Sequence, residues 1–419
     1  MANNSGQYEY AENRYRELGV DTGDVMELLG CIPVSIHCWQ LDDVAGFETK
    51  EAAASGGGIL STGDYPGKAR NEEEFFADLE KVLTLIPGKI KINIHAIYGD
   101  FKGEKVDRDE IHPQHFDRWI DWAKKNGVGL DFNPSLFAHP MADDSYTLAS
   151  SDPRVRDFWI EHVKRSREIS DYIGSKLGAV CINNIWIPDG SKDNTVYRLE
   201  HREILKDSLD KIFEKDYPEE NMMDALESKL FGIGIESYTV GSNEFYLGYA
   251  KEKDKLITFD TGHFHPTELV SDKISATLPF VKGILLHLSR GVRWDSDHVT
   301  ILTEEITAIM QEIVRAKALD RVYIGTDYFD GSINRVGALA LGARTIYKAL
   351  LYALLEPTER LRGFEEDNDF FSRLAFLEDL KTAPAGAVWE KFCEVNGVPG
   401  DFDWAESASD YEIKVLNSR

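Results

Sequence analysis

Two hydrophobic rhythms alternate along the chain. Short apolar runs recur between longer stretches in which apolar positions return every three or four residues. The first rhythm suits buried strands and the second suits amphipathic helices. The runs cover residues 32–39, 89–95, 128–134, 179–186, 256–260, 282–287 and 321–327. One more falls between residues 222 and 238, and it reads either as a strand at 222–229 or as one at 230–238. With the first choice, strand ends fall at His37, His95, Asp131, Trp186, Glu227, Asp260, His287 and Asp327.

The intervening stretches carry helix signals. Asn71 and Glu74 make a capping pair for a helix bearing Phe75, Phe76, Leu79, Val82, Leu83 and Ile86, and Pro87-Gly88 stops it. A second helix, 115–126, ends at Gly127. Asp152-Pro153 opens a long one with Val155, Trp159, Val163 and Ile173 on one stripe, and 198–213 is helical with a weaker pattern. Each gap between strands leaves room for a crossover helix, as parallel pairing demands. Eight such units predict an α/β fold, a (β/α)8 TIM barrel.

Residues 1–30 read as an N-terminal helical segment, with Tyr15, Leu18, Val20, Val25, Leu28 and Leu29 as its apolar points. The barrel domain is expected to span 31–337. Residues 338–419 form a C-terminal helical extension, with Ile346, Leu350, Leu351, Leu354 and Leu355 on one face, suited to packing on the barrel or on a neighbouring subunit. The long connection after the first strand holds A-A-A-S-G-G-G (residues 52–58) and lacks the Lys-Ser/Thr of a phosphate-binding loop. Residues 46–67 therefore read as a flap over a pocket or as a plain surface loop.

Composition narrows the class. The 419 residues exceed the roughly 250 of a plain barrel, and 42% of them are hydrophobic without any apolar run near the ~20 residues of a membrane span. The start, M-A-N-N-S-G-Q, has neither the basic nor the apolar part of a signal peptide. Four scattered cysteines (Cys31, Cys38, Cys181, Cys393) suggest no disulfide framework, and a reducing cytoplasm fits them. Acidic residues outnumber basic ones 73 to 47, for a net charge of −26, which argues against nucleic acid as a partner.

The chemistry concentrates in residues 260–297. Asp260 and His287 each end an apolar run; His263 follows three residues after the first, and Asp295 and Asp297 follow the second. A lone strand-end carboxylate is more often a helix cap, and Asp295-Ser296-Asp297 alone is compatible with turn chemistry. Gathered on consecutive strands, however, Glu227, Asp260, His287 and Asp327 converge on one side of a barrel mouth and make an oxygen-rich site for a divalent cation. His263, Asp295 and Asp297 lie on the loops above, near enough for a second ion, with Asp260 as the natural bridge. His265 alternates with His263 and is assigned to the surface or to a supporting position.

These residues sit in longer motifs: G-H-F-H-P-T-E (262–268), V-R-W-D-S-D-H-V (292–299), W-I-P-D-G-S-K-D (186–193), E-S-K (227–229) and A-L-L-E-P-T (353–358). In these motifs, and over essentially its whole length, the chain resembles the L-rhamnose isomerases, a branch of the xylose-isomerase-like barrels. The resemblance assigns the Glu-x-Lys of related barrels to Glu227-Ser228-Lys229 rather than to Glu236. It implies two divalent ions per subunit, with Mn²⁺ expected and Mg²⁺, Co²⁺ or Zn²⁺ able to serve. A structural ion would sit at Glu227, Asp260, His287 and Asp327. A catalytic ion would sit at His263, Asp295 and Asp297, with Asp260 shared.

The same resemblance implies an aldose–ketose isomerase that interconverts L-rhamnose and L-rhamnulose by a hydride shift after ring opening. Lys229 would donate to O1, or pair with a ligand carboxylate, and a water held at Asp327 or Asp295 would carry a proton between O1 and O2. His95 corresponds to a histidine thought to help open the sugar ring, with a buried structural role as its alternative. Trp186 would wall the pyranose face, and Trp39, His37 and Phe132 are further wall candidates. A homotetramer joined through the C-terminal helices is expected, and no membrane partner. The rivals are an aldose isomerase of broader specificity, a metal-dependent phosphodiester hydrolase and a non-catalytic sugar-binding protein.

Overall fold

In the computed structural model, residues 4–48, 61–232 and 234–419 are described. Eight parallel strands close into a barrel: β1 (Pro33–His37), β2 (Lys89–His95), β3 (Gly129–Asn133), β4 (Cys181–Trp186), β5 (Met222–Glu227), β6 (Leu256–Asp260), β7 (Ile284–Leu288) and β8 (Val322–Thr326). Each strand lies beside its neighbour in sequence, and β1 closes the ring on β8 through Val34 with Ile324 and Ser35 with Gly325.

The runs are nearly continuous in hydrophobicity because both faces of the sheet are covered. In β6, Ile257 and Phe259 join the large core under the helices, whereas Leu256 meets Ile182, Ala225 and Leu285 in a separate small cluster. Asp260 continues the alternation that begins at Leu256, and side chains two apart share a face. The barrel interior thus passes from apolar at one end to acidic at the mouth. Of the two readings between 222 and 238, β5 takes the first. Beyond it, among the described residues up to the next helix, only Tyr238–Thr239 pairs, antiparallel to Gly190–Ser191, and Glu236 is exposed.

Two expected positions need correction. β3 ends at Asn133, not at Asp131. Asp131 is buried below the rim, where it accepts hydrogen bonds from Ser35 Oγ and the Ile182 N–H (2.7 Å each) and pairs with Lys91. Phe132 alternates to the other face and packs 5.0 Å from the Phe116 ring, so it is no wall for a sugar. The strand period explains both: one step reverses the face, and two steps move a side chain down a layer.

The helices bear out their caps. Asn71 Oδ1 accepts the Glu74 N–H at 3.0 Å ahead of Glu72–Leu83, and Asp152 caps the 25-residue Pro153–Leu177. Pro113–Phe116 is a tight 3-10 turn, so the second expected helix begins only at Asp117 and ends at Gly127, whose φ of +67° favours glycine. The N-terminal segment is two helices, Asn4–Glu17 and Thr22–Cys31, and Leu28 is exposed.

Helix Arg335–Leu354 runs through the expected boundary at 337/338. It buries Leu339, Ala343, Ile346 and Leu350 and lies against β1, so the outer layer of the barrel continues to Leu354. Helices Thr358–Glu366, Phe370–Leu380, Ala385–Val395 and Asp403–Lys414 follow, and Asn4–Glu17 packs on Ala385–Val395. Residues 49–60, which hold the glycine-rich part of the expected flap, lie outside the described residues. On its described limbs, the Phe47 N–H donates to Ile97 O at 2.8 Å and the Tyr65 N–H donates to Gly331 O at 2.9 Å. No single described helix is long and apolar enough to cross a membrane.

Candidate active site

A cavity at the C-terminal ends of the strands is lined by Trp39, His95, Asn133, Asn184, Trp186, Glu227, Lys229, Asp260, His263, Asp297, Asp327 and Phe329. Strand ends supply most of it, as in barrels whose chemistry sits at that face. Nothing in the local sequence pattern marks Phe329 or the two asparagines as cavity residues.

Two groups of ligand-type side chains converge there among the described residues. Glu227, Asp260, His287 and Asp327 form one, and Asp260, His263 and Asp295 form the other, each with its ligand atoms within 4.8 Å of one another. Adjacent strands account for the first group, since Asp260 pairs in register with His287. His287 Nδ1 is 3.3 Å from Glu227 Oε2 and 3.4 Å from Asp327 Oδ2. His263 Nδ1 is 3.1 Å from Glu227 Oε1, and its Nε2 is 3.2 Å from Asp295 Oδ2. Asp260 is held by the loop that follows β6, where its Oδ1 accepts the Gly262 N–H at 2.7 Å. A Cβ on Gly262 would collide with Asp295 Oδ1, so glycine lets the two groups close up.

The donor set fits divalent cations. Both ring nitrogens of His287, His263 Nδ1 and Asp295 Oδ1 are buried without hydrogen-bond partners, although several lie near carboxylate oxygens. Buried polar atoms normally find partners, so atoms that converge without bonding one another suit a shared ion. The charges agree. Burial, reinforced by Glu227, Asp295 and Asp327, raises Asp260 to about 7. Burial and the Asp295 charge raise Asp297 well above the carboxylate range. Burial would lower His287, but Glu227 and Asp327 override it and raise the imidazole to about 10. With Asp260 and Asp297 pushed toward neutrality and His287 toward the cation, the centre is short of positive charge, which dications supply.

Asp297 lies on the cavity wall with a φ of +47°, but it brings no oxygen to the second group. Lys229 Nζ donates to Asp295 Oδ2 at 2.5 Å and lies 3.1 Å from His263 Nε2, so the alternative of a salt bridge to a ligand carboxylate is realised. Burial works against charge on both groups. Their attraction prevails, raising Lys229 and holding Asp295 well below the carboxylate range. Lys229 Nζ is also 5.3 Å from the Trp186 ring.

The aromatic candidates separate. Trp186 and Trp39 reach the cavity, and Trp39 Nε1 donates to Asp327 Oδ1 at 3.1 Å. His37 does not reach it; its Nδ1 meets Thr326 O and Oγ1 at 2.9 Å each, and its ring packs edge-on to Tyr328. His95 does, and burial lowers it to about 4, so it is neutral near pH 7. His265 is exposed beside Thr267.

Comparison with known proteins follows the same line. The family model described as L-rhamnose isomerase matches residues 2–419. The chain is 52% identical over 415 residues to the L-rhamnose isomerase of Listeria monocytogenes serotype 4b (strain F2365), covering 99% of this chain and 98% of that protein. It is 52% identical over 412 residues to the L-rhamnose isomerase of Salmonella typhi, covering 98% of each. Among solved structures, one of an L-ribulose 3-epimerase is similar at 12% identity with a TM-score of 0.46, covering 79% of this chain and 97% of that one. Matched from residue 2 to its last residue, the chain belongs to the L-rhamnose isomerase family.

Proposed function

We propose that the chain interconverts L-rhamnose and L-rhamnulose with two divalent ions, Mn²⁺ foremost, bound at Glu227, Asp260, His287 and Asp327 and at Asp260, His263, Asp295 and Asp297. The observation that carries this reading is the pair of converging ligand groups joined at Asp260 beneath Lys229, in a chain that matches the family end to end. Bound there, the ions would polarise the sugar carbonyl and stabilise negative charge on O1 and O2.

The residues of the chain do the rest. Trp186 and Trp39 offer apolar faces to the C–H side of the sugar and exclude water. His95, neutral and inside the cavity, hydrogen-bonds at the ring oxygen and assists opening. Lys229 donates from Nζ to O1 where charge develops, a contribution that fixed donors make strongly in a dry site. A water held at Asp327, whose side chain is 21% exposed, takes the proton from O2 and returns it to O1. Asp295 stays ionised against Lys229 and orients it. Between these two transfers, hydrogen passes from C2 to C1 with its electron pair, as the family resemblance implies.

The assembly is a homotetramer in this reading. Phe370, Phe371 and Leu374 stand exposed on helix Phe370–Leu380, which buries none of its side chains, and this supports a contact between subunits. The four free thiols suit a reducing cytoplasm.

The test is ketose formation from L-rhamnose by EDTA-treated protein, before and after Mn²⁺ is added, beside a panel of other aldoses. Product only with metal, and fastest from L-rhamnose, is expected. Silence in both states, with Mn²⁺ shown to bind, would exclude the substrate. Sedimentation at a monomer mass would exclude the tetramer.

A further inference from the structure

Ser135 is fully buried on the loop that follows β3, and its backbone is gripped on both sides. Its N–H donates to His162 Nε2 at 2.8 Å, and its carbonyl accepts from Arg108 Nη1 at 2.5 Å. Arg108 also donates to the Phe137 carbonyl and, through Nε, to Glu48 at 3.0 Å. The hydrogen on His162 can be placed by elimination. Its Nδ1 lies 2.9 Å from the Arg108 carbonyl oxygen, which can only accept, so Nδ1 donates and Nε2 is free to accept from Ser135. Burial lowers His162 to about 3, which keeps the ring neutral and the pattern intact.

This frame leaves the Ser135 hydroxyl one partner among the described residues, His95 Nδ1 at 3.2 Å. If Nδ1 carried the hydrogen of His95, the serine hydrogen would point at no acceptor in a fully buried spot, which native structures avoid. With the serine O–H donating to Nδ1, every group is matched, and the ring hydrogen falls on Nε2, the nitrogen left to the cavity. Trp39 and Phe137 flank the ring at 4.6 and 5.2 Å between centroids and hold its plane.

We propose that Ser135 is a positioning residue that fixes His95 in the tautomer bearing its hydrogen on Nε2, so that His95 meets the sugar as a hydrogen-bond donor to the ring oxygen. The inference deepens the ring-opening role given to His95 and rests on it. Arg108 and His162 act one step further out, by holding the serine where its hydroxyl reaches Nδ1.

The experiment uses full-length protein loaded with Mg²⁺, which is diamagnetic, and labelled with ¹⁵N at histidine. Long-range ¹H–¹⁵N spectra report the tautomer of each ring, and His95 is assigned by its loss in His95→Asn. The wild type is expected to carry the His95 hydrogen on Nε2, Ser135→Thr to keep it there, and Ser135→Ala to lose the preference. On L-rhamnose with Mn²⁺, Ser135→Ala should lower kcat/KM about tenfold, the worth of one buried hydrogen bond, while Ser135→Thr restores it. A hydrogen on Nδ1 in the wild type overturns the inference. So does a Ser135→Ala protein with an unchanged spectrum and unchanged kcat/KM. Wild-type turnover by His95→Asn would instead remove the ring-opening role, and the spectra alone would then decide the tautomer.

Discussion

Lys229 and Asp295, 66 residues apart in sequence, meet as a buried ion pair with Nζ 2.5 Å from Oδ2. The pair joins the end of β5 to the loop after β7 and places a fixed positive charge beside His263 and Asp295 of the second ligand group. Replacing Lys229 with Met should lower kcat on the order of 100-fold, the usual loss for one oxyanion donor. Bound metal, read by elemental analysis, should stay near the wild-type level. Near-normal kcat would show that the lysine only balances Asp295.

Asp260 and Asp297 should behave differently. Asp260 belongs to both ligand groups, whereas Asp297 lines the cavity and is assigned to the second ion alone. Asp260→Asn is expected to lose activity and also to lower the melting temperature of the metal-loaded protein, because ions that bind only the folded state stabilise it. Asp297→Asn should abolish activity while lowering the melting temperature less than Asp260→Asn, because it weakens one ion and not both. Equal melting temperatures for the two variants would remove the shared role of Asp260.

Gly262 is a steric requirement. An added methyl would strike Asp295 Oδ1 and crowd Asp260 Oδ1, 3.2 Å away, while the surrounding strands need not move. Gly262→Ala should therefore weaken metal binding and cut kcat/KM with little change in the melting temperature of the metal-free protein. Calorimetric titration with Mn²⁺ checks it, and a wild-type isotherm would count against the close approach of the two groups.

His162 predicts an acid limb of stability. Its folded pKa of about 3 lies below the ordinary value of 6.5, so the unfolded chain takes up the proton first. The stability it protects is complete above about pH 6.5 and drains away as pH falls toward 3, at roughly 1.4 kcal/mol per unit for one such group. His37 and His95, each lowered to about 4 by burial, push in the same direction. His162→Asn does not titrate, so its melting temperature should fall less steeply between pH 6.5 and 4 than that of the wild type. Parallel curves would assign the acid limb to other groups.

The barrel was legible because each inward strand end closes an apolar run with a side chain that has no place in a core. Asp260 and His287 could be read this way, and so could Glu227 once the Glu-x-Lys pattern was recognised. Asp131 misled, since a carboxylate in the middle of a strand looks in sequence like one at its end. Only the pairing with Lys91 and Ser35 reveals that it belongs to a lower layer. The support around His95 left no local trace. Arg108, Ser135 and His162 stand in three different segments, and Arg108 and His162 grip the Ser135 backbone, which no local side-chain pattern encodes. The barrel boundary at 337/338 failed for a related reason. The helix that follows β8 and lies against β1 continues the apolar stripe into the helices beyond it, so no change of pattern marks where the barrel layer stops.

The seam between β1 and β8 has a consequence for how the chain folds. On the ribosome β1 emerges early and soon finds β2, but its other edge waits for Val322–Thr326, so ring closure joins residues nearly 300 positions apart. Contacts of such long range are slow to form and leave an unpaired strand edge open to other chains meanwhile. Val34 and Ile324, which pair across that seam, are thus the places where a modest change would alter the yield of folded protein more than the stability of what has folded.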